Sequence, residues 1–544
     1  MAEPTPTPET VSVTVDGMTL DVPKGTRLLD ACAQAGVDVP HYCYHPGLSA
    51  PAQCRMCLVE VEKSPKLIPA CVGSVTDGMV VHTQSENALK AREGVLEFYL
   101  VNHPLDCPVC DQSGECKLQD YVSAEGPAMG RYKEPKRVLG RDDFGGDVLF
   151  YADRCVMCTR CVRFMREVAQ DERLAVVQRG HRSVIDTFFD EGLTGSLWAD
   201  NIVDICPVGA LVSKDFLHKA RAWDLDRTPS ICPNCTQGCN VRLETRDNQV
   251  QRIKPRPNEE VNSHWMCDFG RLNYAWINRV DRIEAPLVRD TSGRLVPTSW
   301  KDALTRLADA LRDAPGLTSA VVSPFAANED LGALRRIIEA TGGGGGGYRC
   351  ELSEEVPLPG FPTLKLRRER AANVVGAELF GFTRAGGDDG TGGLEEIAAT
   401  PGKLFVLGDE LKDAPATFGS QASLFVYVGQ HLGAAARNAH FVLPATTFAE
   451  MEGSFTNVQR RVQRFWPALQ APGMARPAWQ ILGVLLAGVS DAGAPGTAAD
   501  AFAGLAEARA EFGALSWAEL GAHGALLPET ASLQAGGPRE TETA

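Results

Sequence analysis

The chain has 544 residues, 44% of them hydrophobic, and a formal net charge of −15. That length suggests three or four domains, and the negative balance argues against a nucleic-acid partner, since phosphate binding needs clustered positive charge. No apolar run reaches the roughly 18 residues of a membrane span; the nearest candidate, Ile481 to Val489, is too short. The opening MAEPTPTPET lacks a basic start, an apolar stretch and arginine. It is therefore expected to be neither a secretory signal nor a transit peptide, which places the chain in the cytosol.

Val11, Val13 and Val15 alternate with polar residues, which predicts a strand. Asp16-Gly17 is a hairpin turn signal before a second strand, Met18 to Val22. Residues 27–35 read as a helix ended by Gly36, and Leu58 to Val61 as a strand. Residues 86–102 read as an amphipathic helix capped by Ser85, with Leu89, Leu96 and Leu100 on its apolar face. From 104 to 282 the chain is short segments between cysteines. Beyond 283 the pattern alternates between helix and strand. Ser299 caps a helix, and buried strands are expected at Ala320–Val322, Leu404–Leu407 and Leu424–Val428. This predicts a doubly wound α/β sheet. The run Gly342 to Gly347 is expected to be a flexible surface loop. Gly387 to Gly393 is weak as a dinucleotide loop, and the polar stretch from about Pro528 is expected to be disordered.

Of the 17 cysteines, 16 lie in the first 267 residues. In a reducing compartment such crowding points to metal binding or catalysis rather than disulfides. Four groups emerge. Cys43, Cys54, Cys57 and Cys71 form a C-x10-C-x2-C-x13-C variant of the plant-type two-iron arrangement. A structural zinc site is the rival. A Rieske centre is rejected: Cys43-Tyr44-His45 supplies a C-x-H half, but no C-x2-H exists.

The second group, Cys107, Cys110 and Cys116, has only three thiols, and His103 stands where a fourth ligand is needed. Zinc held by three Cys and one His is the alternative. The third group, Cys155, Cys158 and Cys161 with the remote Cys206-Pro207, is the bacterial four-iron pattern. Met165 stands where a second cluster's cysteine would be. Arg154, Arg160, Arg163 and Arg166 surround this group, either to offset cluster charge or as solvated surface. The fourth group, Cys232, Cys235, Cys239 and Cys267, could be a zinc ribbon, although its x3 spacing and third cysteine favour a four-iron cluster. Cys32 reads as a buried apolar residue, and Cys350 is unassigned.

These four groups, in this order, resemble the large, G-type iron–sulfur subunit of bacterial respiratory complex I, NADH:quinone oxidoreductase. The resemblance covers residues 9 to about 282 closely. The rest resembles the molybdopterin oxidoreductase fold through Ala285–Arg289, Ser299–Leu304, Leu443–Ala445 and Glu452–Asn457. It implies an α/β multidomain chain in six parts. These are a β-grasp 2Fe-2S ferredoxin domain (9–85), a His/Cys-ligated 4Fe-4S domain (86–145) and a 4Fe-4S ferredoxin-like domain (146–225). A 4Fe-4S molybdopterin-oxidoreductase-type domain (226–282), a shortened molybdopterin-oxidoreductase-like domain (283–527) and a disordered tail (528–544) follow.

The implied cofactors are one 2Fe-2S cluster and three 4Fe-4S clusters, with no molybdopterin. The implied function is a relay of single electrons from an NADH-oxidising FMN subunit toward quinone-side iron–sulfur subunits, in a proton-translocating complex. The order would be the Cys54 site, the Cys155–Cys206 site, then the His103 site, with the Cys232–Cys267 site off the path. No catalytic residue is expected, and the location is peripheral, on the cytoplasmic side of the membrane. Subunits of NAD-linked formate dehydrogenases and hydrogenases share the N-terminal clusters and are the alternative. A hydrogenase would need further cysteines after the fourth group, and a formate dehydrogenase a molybdenum-ligating Cys or selenocysteine.

Overall fold

The structure is a computed structural model that describes residues 9–386, 393–399 and 401–528. Most of the glycine-rich stretch from Gly387 and the tail beyond Pro528 lie outside those residues. The chain divides into two compact units, Met1–Leu225 with Pro359–Phe361, and Asp226–Leu358 with Pro362–Ala544.

The first unit opens with β1 (Thr10–Val15) and β2 (Met18–Pro23), paired antiparallel. The turn between them has positive φ at both Asp16 and Gly17, as a type I′ hairpin requires. Helix α1 (Leu28–Gln34), β3 (Leu58–Val61), β4 (Ile68–Pro69) and β5 (Met79–His82) follow. The sheet order is β2-β1-β5-β3-β4. Val11, Val13 and Val15 point into a core shared with Leu28, Leu29, Ala31 and Cys32 of α1.

Helix α2 (Glu86–Leu100) starts at Ser85, whose hydroxyl accepts the Ala88 N–H at 3.2 Å. Its buried face differs from the expectation. Leu89 is exposed, whereas Arg92 is fully buried and donates to Glu125 at 2.7 Å and to the Thr83 carbonyl. A guanidinium at a core position is tolerated because an acid and a carbonyl meet it. Helix α3 (Lys117–Glu125), β6 (Arg141–Gly145), β7 (Val148–Tyr151) and α4 (Arg160–Arg163) come next. The ribbon β8 (Leu174–Val177) and β9 (Val184–Thr187), α5 (Asn201–Ile205) and β10 (Leu211–Ser213) complete the unit.

The second unit begins with an antiparallel sheet of β11 (Asp226–Ile231), β12 (Asn240–Arg246) and β13 (Gln249–Pro255), then α6 (Asp268–Leu272). Next come β14 (Leu287–Arg289), β15 (Leu295–Pro297), α7 (Trp300–Asp313), β16 (Thr318–Val322), α8 (Asn328–Ala340) and β17 (Gly346–Tyr348). They are followed by β18 (Val356–Leu358), β19 (Phe361–Leu366), α9 (Val374–Leu379), β20 (Thr383–Arg384) and α10 (Glu395–Ala399). Strands β21 (Lys403–Leu407), β22 (Leu424–Gly429) and β23 (Phe441–Pro444) complete an eight-stranded sheet.

The sheet order is β15-β14-β23-β22-β21-β16-β17-β20, and its run from β23 to β20 is parallel. The strand order reverses between β16 and β21, the switch point of a doubly wound fold. Both faces are covered. Phe405, Leu407, Val426 and Val428 face one core with α7 and α8, while Leu404, Val406, Phe425 and Tyr427 face another.

The six-glycine run is only in part the surface loop its composition suggested: Gly342 to Gly345 lie outside any strand, with Gly342 and Gly345 exposed. Gly346 and Gly347 belong to β17, which pairs parallel with β16. A Cβ on Gly346 would lie 2.7 Å from Phe382 and 2.9 Å from the Ala320 carbonyl, and one on Gly347 2.8 Å from Ile397. Part of the run therefore serves close packing rather than flexibility. No helix among the described residues is long and apolar enough to cross a membrane. The apolar run near Ile481 lies in a helix, Ala478–Val489, whose Ile481, Leu482 and Leu485 sit in the core.

Candidate metal centres

Each of the four sequence groups is brought together in space. The first is held by loops of the small sheet. Cys43 follows α1, Cys54 and Cys57 precede β3, and Cys71 follows β4; all four are buried. Ala52 and Arg55 take left-handed φ, which lets the loop fold back around the thiols. The Cys43 thiol lies within hydrogen-bonding reach of the Cys54 and Cys71 thiols, and that of Cys57 within reach of Cys71. Backbone N–H groups of Gln53 and Cys54 point at the Cys43 sulfur. Hydrogen bonds to the charged form favour thiolate there.

At the second site His103 lies just past the end of α2, Cys107 opens a 3₁₀ turn, and Cys116 is the N-cap of α3. With Cys110 they line a cavity of about 320 Å³. Burial, helped by Arg154, pushes the His103 pKa down to about 4, so the imidazole is neutral at pH 7 and has a free lone pair for a metal. Gly209 forms part of the wall. A Cβ there would lie 2.2 Å from Cys110 Sγ, so a larger residue would have to displace that sulfur. Arg154 also lines the cavity; it pairs with Asp106 at 2.9 Å and lies 3.9 Å over the Tyr151 ring.

The third site is made by the loop leading into α4 and by Cys206 after α5. Met157 and Thr159 adopt left-handed φ, winding the C-x2-C-x2-C loop round a pocket lined by all four thiols with Phe150, Ile185 and Leu211. The Met157 N–H donates to Cys155 Sγ at 3.3 Å, and the N–H groups of Val208, Ala210 and Leu211 point at Cys206. The arginines divide by role. Arg154 and Arg163 are buried, Arg160 is half-buried, and Arg166 is exposed.

In the second unit the fourth site joins two sheet ends to a helix start. Cys232 follows β11 and bonds through its N–H to the Cys239 carbonyl at 2.9 Å, while Gly238 turns with φ +61. Cys267 is the N-cap of α6 and accepts the Gly270 N–H at 3.3 Å. A Cβ on Gly270 would stand 3.0 Å from Cys232 Sγ and 3.3 Å from Cys267 Sγ. Burial and mutual proximity push the Cys239 and Cys267 thiols well up.

Grouped thiolates need a cation among them, since a buried charge is costly unless it is paired. Backbone N–H groups aimed at sulfur suit a thiolate-bound cluster. Among the described residues the grouped side chains are near one another, but no three of them are arranged to hold a metal ion. Cys32 and Cys350 are also buried, Cys32 in the same core as Cys57 and Cys71. Burial pushes the Cys32 thiol up to about 11. Close approaches such as Gly209 on Cys110 carry no spacing signal and were not legible beforehand.

Along its length the chain is similar to ferredoxin-type and molybdopterin-oxidoreductase-type iron–sulfur domains. Residues 8–86 match the 2Fe-2S iron-sulfur cluster binding domain, and 92–128 the NADH-ubiquinone oxidoreductase-G iron-sulfur binding region. Residues 145–212 match the ferredoxin-like domain of NADH-quinone oxidoreductase subunit 3. The Molybdopterin oxidoreductase Fe4S4 domain matches 225–279, and Molybdopterin oxidoreductase 370–487. Each cysteine group falls within its own match.

The chain is homologous to the large iron–sulfur subunit of NADH-quinone oxidoreductase. It is 40% identical over 334 residues to the G-type NADH-quinone oxidoreductase subunit of Rickettsia felis, covering 61% of this chain and 49% of the relative. It is 44% identical over 339 residues to "NADH dehydrogenase [ubiquinone] iron-sulfur protein 1, mitochondrial" of Solanum tuberosum (62% and 46%). It is also 44% identical over 303 residues to the "NADH-ubiquinone oxidoreductase 75 kDa subunit" of Reclinomonas americana (56% and 43%). The chain thus spans about half the length of the curated relatives it matches.

Proposed function

We propose that this chain is the electron-relaying subunit of an NADH:quinone oxidoreductase, holding one two-iron and three four-iron clusters. What supports the reading is that four separate loop systems each bring the side chains of one sequence group near one another: Cys43/Cys54/Cys57/Cys71, His103/Cys107/Cys110/Cys116, Cys155/Cys158/Cys161/Cys206 and Cys232/Cys235/Cys239/Cys267. Bound clusters supply one-electron storage. The protein holds them, keeps water out and sets local charge. The thiols of the first and fourth sites are buried, and Arg154 and Arg160 put positive charge beside the second and third. His103 contributes a neutral ligand where the other sites have thiolates, which raises the potential of the second site.

The partners proposed are the FMN- and NADH-binding subunit on one side and quinone-side iron–sulfur subunits on the other, with the chain peripheral on the cytoplasmic face of the membrane. The fourth site is proposed as structural. A pterin cofactor fits poorly at the switch point of the large sheet. Asp409 and Glu410 follow β21 there, paired with Arg349 at 2.6 Å and Arg279 at 2.7 Å. Carboxylates with cations already engaged do not suit a phosphate-bearing ligand.

The test is reduction of the full chain by NADH. Reduction should require the flavoprotein partner, while dithionite reduces the chain alone. Reduction by NADH without the partner would contradict the assignment.

A further inference from the structure

We infer that Arg163 is a positioning residue that straps the first and third thiol sites together and gives both one shared, buried positive charge; the inference rests on the relay reading above. Arg163 is the last residue of α4, two positions after Cys161, and is only 4% exposed. Its guanidinium donates to three backbone carbonyls. One is that of Cys43, in the first ligand set. Another is that of Cys158, in the third, at 3.4 Å. The remaining one is that of Ser49, in the loop between Cys43 and Cys54.

Arg160, one turn back, repeats the pattern. It donates to the Ile205 carbonyl at 3.0 Å and to the Tyr44 carbonyl, the neighbours of Cys206 and Cys43. The adjoining acid, Glu167, is taken up by Ser49, through its N–H at 3.0 Å and its hydroxyl at 2.6 Å, and by Arg166 at 3.8 Å. The Arg163 charge is thus buried against carbonyl oxygens of two cluster loops. A buried cation is costly without anionic surroundings, and two thiolate-ligated sites on either side supply them.

Two consequences follow. A cation beside both sites favours the reduced, more negative form of each, so it raises both potentials. Its rigid fork also fixes the spacing of the two loops, on which the rate of transfer between them depends. Arg163 exchanges no electron and no proton; one site loses an electron, the other gains it, and no bond is made or broken.

The test uses the full chain with its clusters, as wild type, Arg163→Gln and Arg163→Lys. Iron content is measured, and the four signals are followed by potentiometric titration with low-temperature EPR. Arg163→Gln should lower the midpoints of the first and third sites together, by about tenfold in the reduction equilibrium, or 59 mV for a one-electron couple. The second and fourth sites should not move. Arg163→Lys keeps the charge and should recover most of both shifts. If Arg163→Gln loses iron, the Lys variant decides: two near-wild-type midpoints support the inference, and a full fall in either overturns it. Four signals with neither midpoint moved, or only one, would overturn the inference and leave the relay reading standing. A wild-type chain without iron would remove both.

Discussion

Gly209→Ala is the sharpest single-methyl perturbation of the second site. The added Cβ would stand 2.2 Å from Cys110 Sγ and 3.1 Å from the Gln112 side chain. Contacts under 3.0 Å are not sustained, so the sulfur or the Gly209 backbone must retreat by at least 0.8 Å, the difference between 3.0 and 2.2 Å. A ligand constellation tolerates roughly 0.5 Å of displacement. The backbone cannot yield freely, because the Gly209 carbonyl accepts Arg154 and, two residues earlier, the Pro207 carbonyl accepts the Lys117 N–H at 3.0 Å. Overpacking of this kind costs about 1–3 kcal/mol in stability. Iron analysis with low-temperature EPR should therefore show loss or broadening of the second-site signal, with the first and fourth sites intact. A wild-type second-site signal at an unchanged midpoint would refute the reasoning.

Three further outcomes are expected. His103→Cys should keep the second cluster but lower its potential, since a thiolate replaces a neutral imidazole; an unchanged midpoint in redox titration would show that His103 is not a ligand. Cys267→Ala removes the sulfur that accepts the Gly270 N–H. It should impair assembly and iron loading more than electron transfer in the chains that do assemble; full assembly with blocked transfer would reverse the structural role given to the fourth site. Glu329 is buried and bonded to Ser454, and desolvation pushes its pKa up to about 8. Its folded state holds the proton more tightly than the unfolded chain, so stability is highest below the ordinary carboxyl range and falls as pH rises toward about 8. Thermal melts from pH 5 to 8.5 should show this decline, and Glu329→Gln should lessen it, the buried Asp330, raised to about 7, keeping the rest; a melt that rises over that window would contradict the sign.

Local patterns were legible where one physical rule governs a short stretch. Alternating valines identify β1, Asp16-Gly17 its turn, and Ser85 and Ser299 the caps of α2 and α7. The cysteine groups were legible because their members stand at short spacing in the chain. His103 stood out only because three cysteines left a place beside it.

Tertiary contacts were not legible. Arg92 looks like a solvated helix residue until Glu125 and the Thr83 carbonyl are brought to it from distant segments. The Gly342–Gly347 run looks like a linker until Phe382 and Ile397 close on its last two residues. The arginines round the third group could not be divided into buried and solvated before Cys43 and Ser49 arrived from more than 100 residues away to bond Arg163.

The central claim is that the four gathered sets hold iron–sulfur clusters of two kinds. Low-temperature EPR of the dithionite-reduced chain, with iron, zinc and labile sulfide counted on the same sample, tests it directly. One two-iron and three four-iron signals, with matching sulfide and no zinc, are the expected result. Zinc in place of iron at any of the four sites, or a missing four-iron signal in the fully loaded wild-type chain, would contradict it.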